Sequence, residues 1–139
     1  MKFIQKLCYA GNTMEAIEKY KQAFGCTVKS LILYSEAVKN GWAKPNPQRN
    51  SKVYHSEIMF GEQEVRMSDS EDTSMLDLIR KLDYAVGFDT EAEVRKAFEV
   101  LSEGGEVIQP LETPPYMVII GTVQDCFGIQ WTLMCDFNY

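Results

Sequence analysis

The sequence has 139 residues, with 14 basic and 20 acidic side chains and a single histidine, and its formal net charge is −6 at pH 7. A chain of this length makes one domain or two small modules that share a core. Because nucleic acids and anionic membrane surfaces repel an acidic protein that has no Lys/Arg cluster, neither is an expected partner. No apolar run approaches the ~18 residues of a membrane span, and the first residues do not resemble a signal peptide, so we expect a cytoplasmic protein.

The four cysteines are widely separated and none has a neighbouring histidine; they are Cys8, Cys26, Cys126 and Cys135. Zinc sites in proteins use ligands that are paired at short spacing, so this distribution does not indicate a zinc site. We interpret all four as reduced thiols, some of which fill the core.

The first half of the chain has the pattern of a strand, a helix and three further strands. Asn12 and Glu15 have the spacing of a capping box, and Gly25 stands where a glycine ends a helix. Apolar residues at helical spacing between these positions predict an amphipathic helix. The predicted strands, of which the last two form a hairpin, cover residues 3–9, 27–34, 53–60 and 63–69.

Residues 35–52 show the period of neither a helix nor a strand. They contain Gly41, Pro45 and Pro47 together with Trp42, an aromatic residue that we expect to be exposed. Loops of this length in compact domains often serve as lids or binding loops. The sequence leaves open whether this segment closes over a site or is a surface excursion.

The same pattern begins again in the second half, after a polar linker and a predicted helical turn over residues 75–82. Thr90 and Glu93 repeat the capping-box spacing, and Gly104 follows the second helix. Two copies in register indicate an internal duplication, so we expect one domain of two βαβββ modules, residues 1–69 and 82–139, joined by residues 70–81. The second set of predicted strands covers residues 82–88, 106–110, 116–123 and 129–135.

Short motifs along nearly the whole chain narrow this pattern further. They are Tyr9-Ala10-Gly11-Asn12 before Ala16-Ile17-Glu18-Lys19-Tyr20, then His55-Ser56-Glu57, Met67-Ser68-Asp69 and Asp125-Cys126-Phe127-Gly128-Ile129-Gln130-Trp131. In these motifs the sequence resembles the vicinal oxygen chelate superfamily of glyoxalases, bleomycin-resistance proteins and dioxygenases. It is most similar to the PhnB-like subgroup, whose members are often labelled as similar to 3-demethylubiquinone-9 3-methyltransferase. The resemblance implies an α+β fold in which tandem modules curl into an eight-stranded cup with the helices outside, a small-molecule ligand and a homodimer.

The resemblance also implies where a divalent metal would bind. In the metal-using members, the first and last strands of each module supply ligands to one ion, which acts on the substrate as a Lewis acid. The corresponding positions of this chain fall on Gln5, on Arg66 or Met67, on Asp83 and on Thr132. Only Gln5 and Asp83 could serve as ligands, so we expect no metal or other cofactor and keep a divalent metal as the alternative.

His55 and Glu57 are the candidate catalytic residues. By the two-residue period of a strand they share one face, where an imidazole and a carboxylate can form an acid–base pair or bind an anion. The alternative is a histidine that hydrogen-bonds its neighbours and has no further role.

The candidate ligand-binding residues are Gln5, Tyr34, Trp42, Asp69, Tyr116 and Trp131. We place the aromatic residues Tyr34, Trp42 and Tyr116 at the mouth of the cup. Asp69 is either a site carboxylate or a cap for the polar loop after it, and Trp131 either walls a pocket or packs in the core. For Asp69 and Trp131 we favour the structural role.

Small-molecule binding is therefore the function that we predict, with an organic or anionic ligand held in the cup without an intact metal site. The alternative is a metal-dependent isomerase, lyase or dioxygenase of the vicinal oxygen chelate type. A methyltransferase ranks last, because the adjacent Gly104 and Gly105 follow a helix instead of linking a strand to a helix. The sequence leaves open whether the protein is an enzyme.

Overall fold

The computed structural model describes residues 1–70 and 82–136 of the chain. The chain divides into two compact units, Met1–Leu78 and Ile79–Tyr139. In both units a strand, a helix and three further strands follow one another and form a four-stranded mixed sheet. The predicted α+β class and the duplicated βαβββ order are therefore confirmed. The helical turn predicted over residues 75–82 and most of the linker lie outside the described residues, and the single-domain organisation stays a prediction.

The first unit places its strands in the order β1-β4-β3-β2, with β1 parallel to β4 and the other neighbours antiparallel. Two short helices, α2 and a 3₁₀ turn at Pro47–Arg49, lie between β2 and β3. The elements of this unit are β1 (Gln5–Tyr9), α1 (Thr13–Phe24), β2 (Thr27–Leu33), α2 (Tyr34–Lys39), β3 (Val53–Phe60) and β4 (Gln63–Asp69).

Helix α1 covers one face of this sheet and forms the core of the first unit with it. The ring of Phe60 on β3 lies 6.0 Å from that of Tyr20 and 5.4 Å from that of Phe24. The hydroxyl of Tyr9 on β1 donates to that of Tyr20 at 3.0 Å, so Tyr9 also lies on the α1 side. The helix ends as predicted at Gly25, whose φ of 66° permits its amide to donate to the carbonyl of Lys21.

Two local predictions for the first unit are wrong. Residues 35–52 are not irregular throughout, because Tyr34 and Ala37 are buried and anchor the short helix α2. A helix of six residues is too short to show a period in the sequence. The side chain of Asn12 makes no capping hydrogen bond, and a residue distant in the sequence replaces the expected capping box at the start of α1.

The second unit repeats the topology, with strand order β5-β8-β7-β6. The predicted capping box is present, since Thr90 Oγ1 accepts from the Glu93 amide at 3.2 Å and Glu93 Oε2 accepts from the Thr90 amide at 3.0 Å. The strand predicted to start at Tyr116 starts three residues later. The elements of this unit are β5 (Tyr84–Gly87), α3 (Glu91–Ser102), β6 (Glu106–Glu112), β7 (Ile119–Gln124) and β8 (Gln130–Cys135). None of the described helices is long and apolar enough to cross a membrane.

Gly105 joins α3 to β6 at a point where the backbone is closely packed. A Cβ atom there would collide with the carbonyl oxygens of Gln124 and Leu101. We expect Gly105→Ala to lower the free energy of unfolding by about 1–3 kcal/mol, because backbone atoms cannot rotate away from the added methyl group. Gly87→Ala is the control, since nothing lies within 4 Å of its Cβ position. Urea unfolding of the two variants checks this, and equal stability would contradict it.

Candidate functional site

The candidate site lies on the face of the first sheet that is opposite to α1. Lys6 on β1, Arg66 on β4 and Glu57 on β3 are register neighbours and form a row across the strands. Residues one position away along the same strands, such as Ile58 and Val65, pair on the α1 side. The face away from α1 is therefore polar and charged, while the α1 face is apolar.

A cavity of about 440 Å³ opens at one end of this face. Its wall combines cationic, hydroxyl, thiol and aromatic side chains from β1, β3, β4 and the start of α2. The lining residues are Lys6, Cys8, Tyr34, Tyr54, His55, Ser68, Asp69 and Ser70.

A β-bulge in β3 shapes the cavity wall. Ile32 pairs with His55 and Leu33 pairs with Val53, so Tyr54 is an extra residue between two register pairs. Strict alternation would allow only one of two consecutive residues to face the cavity. Because of the bulge, Tyr54 and His55 both line it.

The carboxylate of Asp69 holds the floor of the cavity in place. Its Oδ1 accepts from the amide of Thr13 at 3.0 Å and from its hydroxyl at 2.7 Å, and its Oδ2 accepts from the amide of Val53 at 2.8 Å. Asp69 is only 3% exposed. This side chain therefore caps α1, fixes the start of β3 and ends β4, and both of its oxygens already have donors.

The aromatic wall is attached to the backbone of the same residue. The Tyr34 hydroxyl donates to the Asp69 carbonyl at 3.2 Å, and the Tyr34 and Tyr54 rings meet edge to face with centroids 5.3 Å apart. The guanidinium carbon of Arg49 lies 4.5 Å from the centre of the Tyr34 ring. A cation over the ring face is attracted to it, so Arg49 supports this wall from outside the cavity lining.

Glu57 lies at the centre of a charged cluster next to the cavity. Its carboxylate is 3.5 Å from Nε2 of His55, 3.9 Å from Nη2 of Arg66 and 4.0 Å from Nζ of Lys29. The ammonium of Lys29 also donates to Glu64 at 3.0 Å. The hydrogen bond from Lys29 is the main cause that lowers the pKa of Glu64, and the hydrogen bond from Lys2 is the next. The bond between Lys29 and Glu64 also raises the pKa of Lys29.

The positions carried over for a divalent metal do not fit one. Gln5 shares the α1 face with Leu7 and Tyr9, and its buried Oε1 faces away from the charged side of the sheet. Arg66 is a cation, and Thr132 donates its hydroxyl to Asp83 at 2.6 Å. Within residues 1–70 and 82–136, no three His, Cys, Asp or Glu side chains are grouped as metal ligands.

The structure brings together some of the predicted site residues and separates others. Tyr34, His55 and Asp69 line the cavity, and Glu57 contacts His55 beside it. Gln5 lies on the other face of the sheet, and Trp42 is 55% exposed outside the lining.

The two remaining predicted residues belong to the second unit. Tyr116 is 67% exposed, before β7. Trp131 is buried, packs against Tyr84 with ring centroids 5.5 Å apart and donates its Nε1 proton to Asp125 at 2.8 Å. A role of Tyr116 or Trp131 in ligand binding stays a prediction.

Six residues of this site were not predicted from the sequence. Arg49 supports the cavity, and the other five line it: Lys6, Cys8, Tyr54, Ser68 and Ser70. Lys6 and Cys8 alternate with the apolar Leu7 on β1, which is the signal that could have assigned them to the polar face. Arg49 carries no such signal, because its position depends on the fold of the 3₁₀ turn.

Comparison with solved structures supplies the fold family. Protein PA1353 from Pseudomonas aeruginosa is 24% identical, with a TM-score of 0.85 and coverage of 99% of both chains. A Bacillus cereus protein named PhnB protein is 23% identical, with a TM-score of 0.82 over 97% of this chain and 99% of that one. A glyoxalase-related enzyme from Fulvimarina pelagi is 16% identical, with a TM-score of 0.60 over 98% of this chain and 89% of that one. The chain has the glyoxalase fold.

This result confirms the fold that the resemblance implied, which the chain shares with these three proteins. No protein-family model and no curated protein matches the sequence. At these identities the glyoxalase fold does not by itself carry a ligand or a reaction, so function has to be argued from the cavity.

The first prediction from the site concerns Asp69. In Asp69→Asn an amide nitrogen replaces one carboxylate oxygen, so a donor meets either the Val53 amide or the donors of Thr13. We expect the free energy of unfolding to fall by about 2–3 kcal/mol, because a buried donor loses its acceptor. Asp89→Asn, at an exposed position, is the control and should change little. Equal unfolding midpoints in urea for the two variants would argue against the structural role of Asp69.

The second prediction concerns pH. Because the folded-state pKa of Glu64 is below its ordinary value of 4.5, this carboxylate stabilises the fold above that pH and loses its contribution as the pH falls through the folded-state pKa. We expect Glu64→Gln to be less stable than the unmodified protein at pH 7 and to show a smaller loss of stability on acidification. Glu62→Gln, in the exposed turn, should follow the unmodified protein. Urea unfolding from pH 7 to pH 3 measures both, and parallel curves for Glu64→Gln and the unmodified protein would refute the prediction.

Proposed function

We propose that the first unit binds a small organic anion in the cavity beside β1, β3 and β4, without a metal. The observation that carries this proposal is Lys6, a cationic residue that lines the cavity and has no ion-pair partner among the described residues. The cavity volume of about 440 Å³ suits a small organic molecule.

Two further polar groups are available to such a ligand. Ser68 is only 6% exposed, lines the cavity, and has no hydrogen-bond partner for its hydroxyl among the described residues. His55 supplies an imidazole whose Nε2 lies 3.5 Å from the carboxylate of Glu57. The hydroxyl of Ser68 can therefore donate or accept a hydrogen bond with a polar ligand at this point.

The aromatic side chains give the ligand a second property. The rings of Tyr34 and Tyr54 form one wall, and their mutual contact fixes their orientation. Flat aromatic walls favour ligands with a planar or apolar part. The proposed ligand is therefore an organic anion with an aromatic or other apolar group, and not a bare inorganic ion.

The carboxylate of Asp69 does not oppose this proposal, although it is part of the lining. Its charge is compensated by three donors from Thr13 and Val53, whereas the ammonium of Lys6 has no such compensation. Charge-assisted hydrogen bonds to Lys6 and His55 would then supply most of the binding free energy.

Acid–base catalysis on the bound anion is a second candidate function, favoured by the contact between His55 and Glu57. An imidazole beside a carboxylate can transfer a proton to or from a group of the ligand. In this role His55 would be the catalytic residue and Glu57 the residue that orients it.

A metal-dependent enzyme and a methyltransferase have weaker support than anion binding. The metal-dependent enzyme would need ligands that Gln5 and Arg66 do not provide. The name of the Bacillus cereus protein also assigns it provisionally to the 3-demethylubiquinone-9 3-methyltransferases, but a likeness at 23% identity extends only to the fold. The homodimer implied by the resemblance and the cytoplasmic location expected from the sequence stay part of the proposal.

Calorimetric titration with benzoate, phenylphosphonate and the neutral analogue benzamide tests the proposal. We expect saturable binding of at least one of the two anions and weaker binding of benzamide. Lys6→Gln should weaken binding of the anion at least about tenfold, because it removes a charge-assisted hydrogen bond. Lys96→Gln, at an exposed position in the second unit, should leave the affinity unchanged.

Three outcomes would contradict the proposal. The first is that neither anion binds, and the second is that Lys6→Gln binds the anion as tightly as the unmodified protein. The third is that binding requires a stoichiometric divalent ion. The last result would favour the metal-dependent enzyme instead.

A further inference from the structure

Cys8 is an exposed free thiol that lines the cavity. It follows Lys6 by two residues on β1, so the two side chains share the face away from α1. Its register partner on β4 is Ser68. Neither the proposed anion binding nor the acid–base role of His55 uses this thiol.

The other three cysteines differ from Cys8 in burial or in place. Cys26 and Cys135 are buried, and burial raises the pKa of the Cys26 thiol to about 11. A thiol with so high a pKa is a poor nucleophile near neutral pH, because the thiolate is the reactive form. Cys126 is exposed but belongs to the second unit, which makes it an internal reference for Cys8.

The surroundings of Cys8 point to a ligand independently of the thiol. Ser68, opposite Cys8, is more than nine-tenths buried and offers a hydroxyl without a partner in the described part of the chain. The ammonium of Lys6 is likewise unpaired there. A small molecule that reaches Cys8 through the cavity therefore meets one positive charge and one hydrogen-bonding group.

We infer that Cys8 is a modification site, at which a small disulfide that carries carboxylate groups forms a mixed disulfide inside the cavity. The inference rests on the proposed anion binding, because the charge of Lys6 selects both the ligand and the disulfide. The modified cavity cannot hold its anion, since the attached group occupies the same volume. The oxidation state of Cys8 thereby regulates the site.

The exchange balances without a further reactant. The thiolate sulfur of Cys8 attacks one sulfur of the small disulfide, a new S–S bond forms, and the old S–S bond breaks. The other half of the reagent leaves as a thiolate and takes up the proton that Cys8 has released. Cys8 is oxidised and the leaving half is reduced, and excess small thiol reverses the reaction.

The experiment compares the two exposed thiols with three disulfides of different charge. Cys126→Ser leaves Cys8 as the exposed thiol, and Cys8→Ser leaves Cys126. The reagents are the anionic aromatic dithiobis-nitrobenzoate, the neutral dithiodipyridine and the cationic cystamine. The ratio of the two second-order rate constants, Cys8 over Cys126, cancels the intrinsic reactivity of each reagent.

We expect this ratio to be about tenfold higher for the anionic reagent than for the cationic one at low ionic strength, as for one nearby unit charge. Added salt should reduce the difference. Lys6→Gln in the Cys126→Ser background should remove most of it, and Lys96→Gln should not. Protein modified at Cys8 by the nitrobenzoate group should no longer bind benzoate or phenylphosphonate in the calorimeter.

The outcomes separate this inference from the proposed function. If the rate ratio is independent of reagent charge while an anion still binds, the modification site is overturned and the proposed function stands. The inference is also overturned if Cys8 still reacts preferentially with the anionic reagent in Lys6→Gln. Unimpaired anion binding after modification of Cys8 overturns it as well. If no anion binds and no preference is seen, both fall.

Discussion

The first unit depends on a single buried carboxylate. Asp69 receives three hydrogen bonds, from the amide and hydroxyl of Thr13 and from the amide of Val53. These contacts join the first turn of α1, the start of β3 and the last residue of β4. A charge that is almost fully buried is tolerated only when such donors surround it, so each of these elements is held in place by the others.

The same residue sets the geometry of the cavity, because the aromatic wall is attached to its carbonyl oxygen through the hydroxyl of Tyr34. Arg49 then lies against the outer side of that wall. Lys6, Ser68 and His55, which line the cavity, stand on three strands whose register is fixed by their pairing. The cavity therefore has a rigid floor of strands and a wall from the loop region, an arrangement that holds the lining side chains at fixed distances.

Local patterns in the sequence predicted most of the fold, and the failed prediction at the start of α1 has a non-local cause. Thr90 and Asn12 both have an acidic residue three positions later, but only Thr90 forms the capping box. At the start of α1 the carboxylate of Asp69, 56 residues from Thr13 in the sequence, accepts from the Thr13 amide instead, and no local pattern records it. The glycine ends, the hairpin and the strand periods depend on near neighbours and were predicted correctly. Of the candidate site residues, Tyr34 and His55 line the cavity, whereas Gln5, which was assigned from a family position, lies on the opposite face of the sheet. A shift of one residue on a strand moves a side chain to the opposite face, which places Lys6 where Gln5 was expected.

The extra residue in β3 has a consequence for how readily this protein could acquire a new specificity. Tyr54 stands between two register pairs and is not required by the β2–β3 pairing, yet it lines the cavity. Replacing it alters the shape and polarity of the wall while Ile32 and His55 keep their pairing. Such a position can be exchanged during evolution or engineering at little expense to folding, so the chemistry recognised by this scaffold can diverge while the scaffold itself is retained.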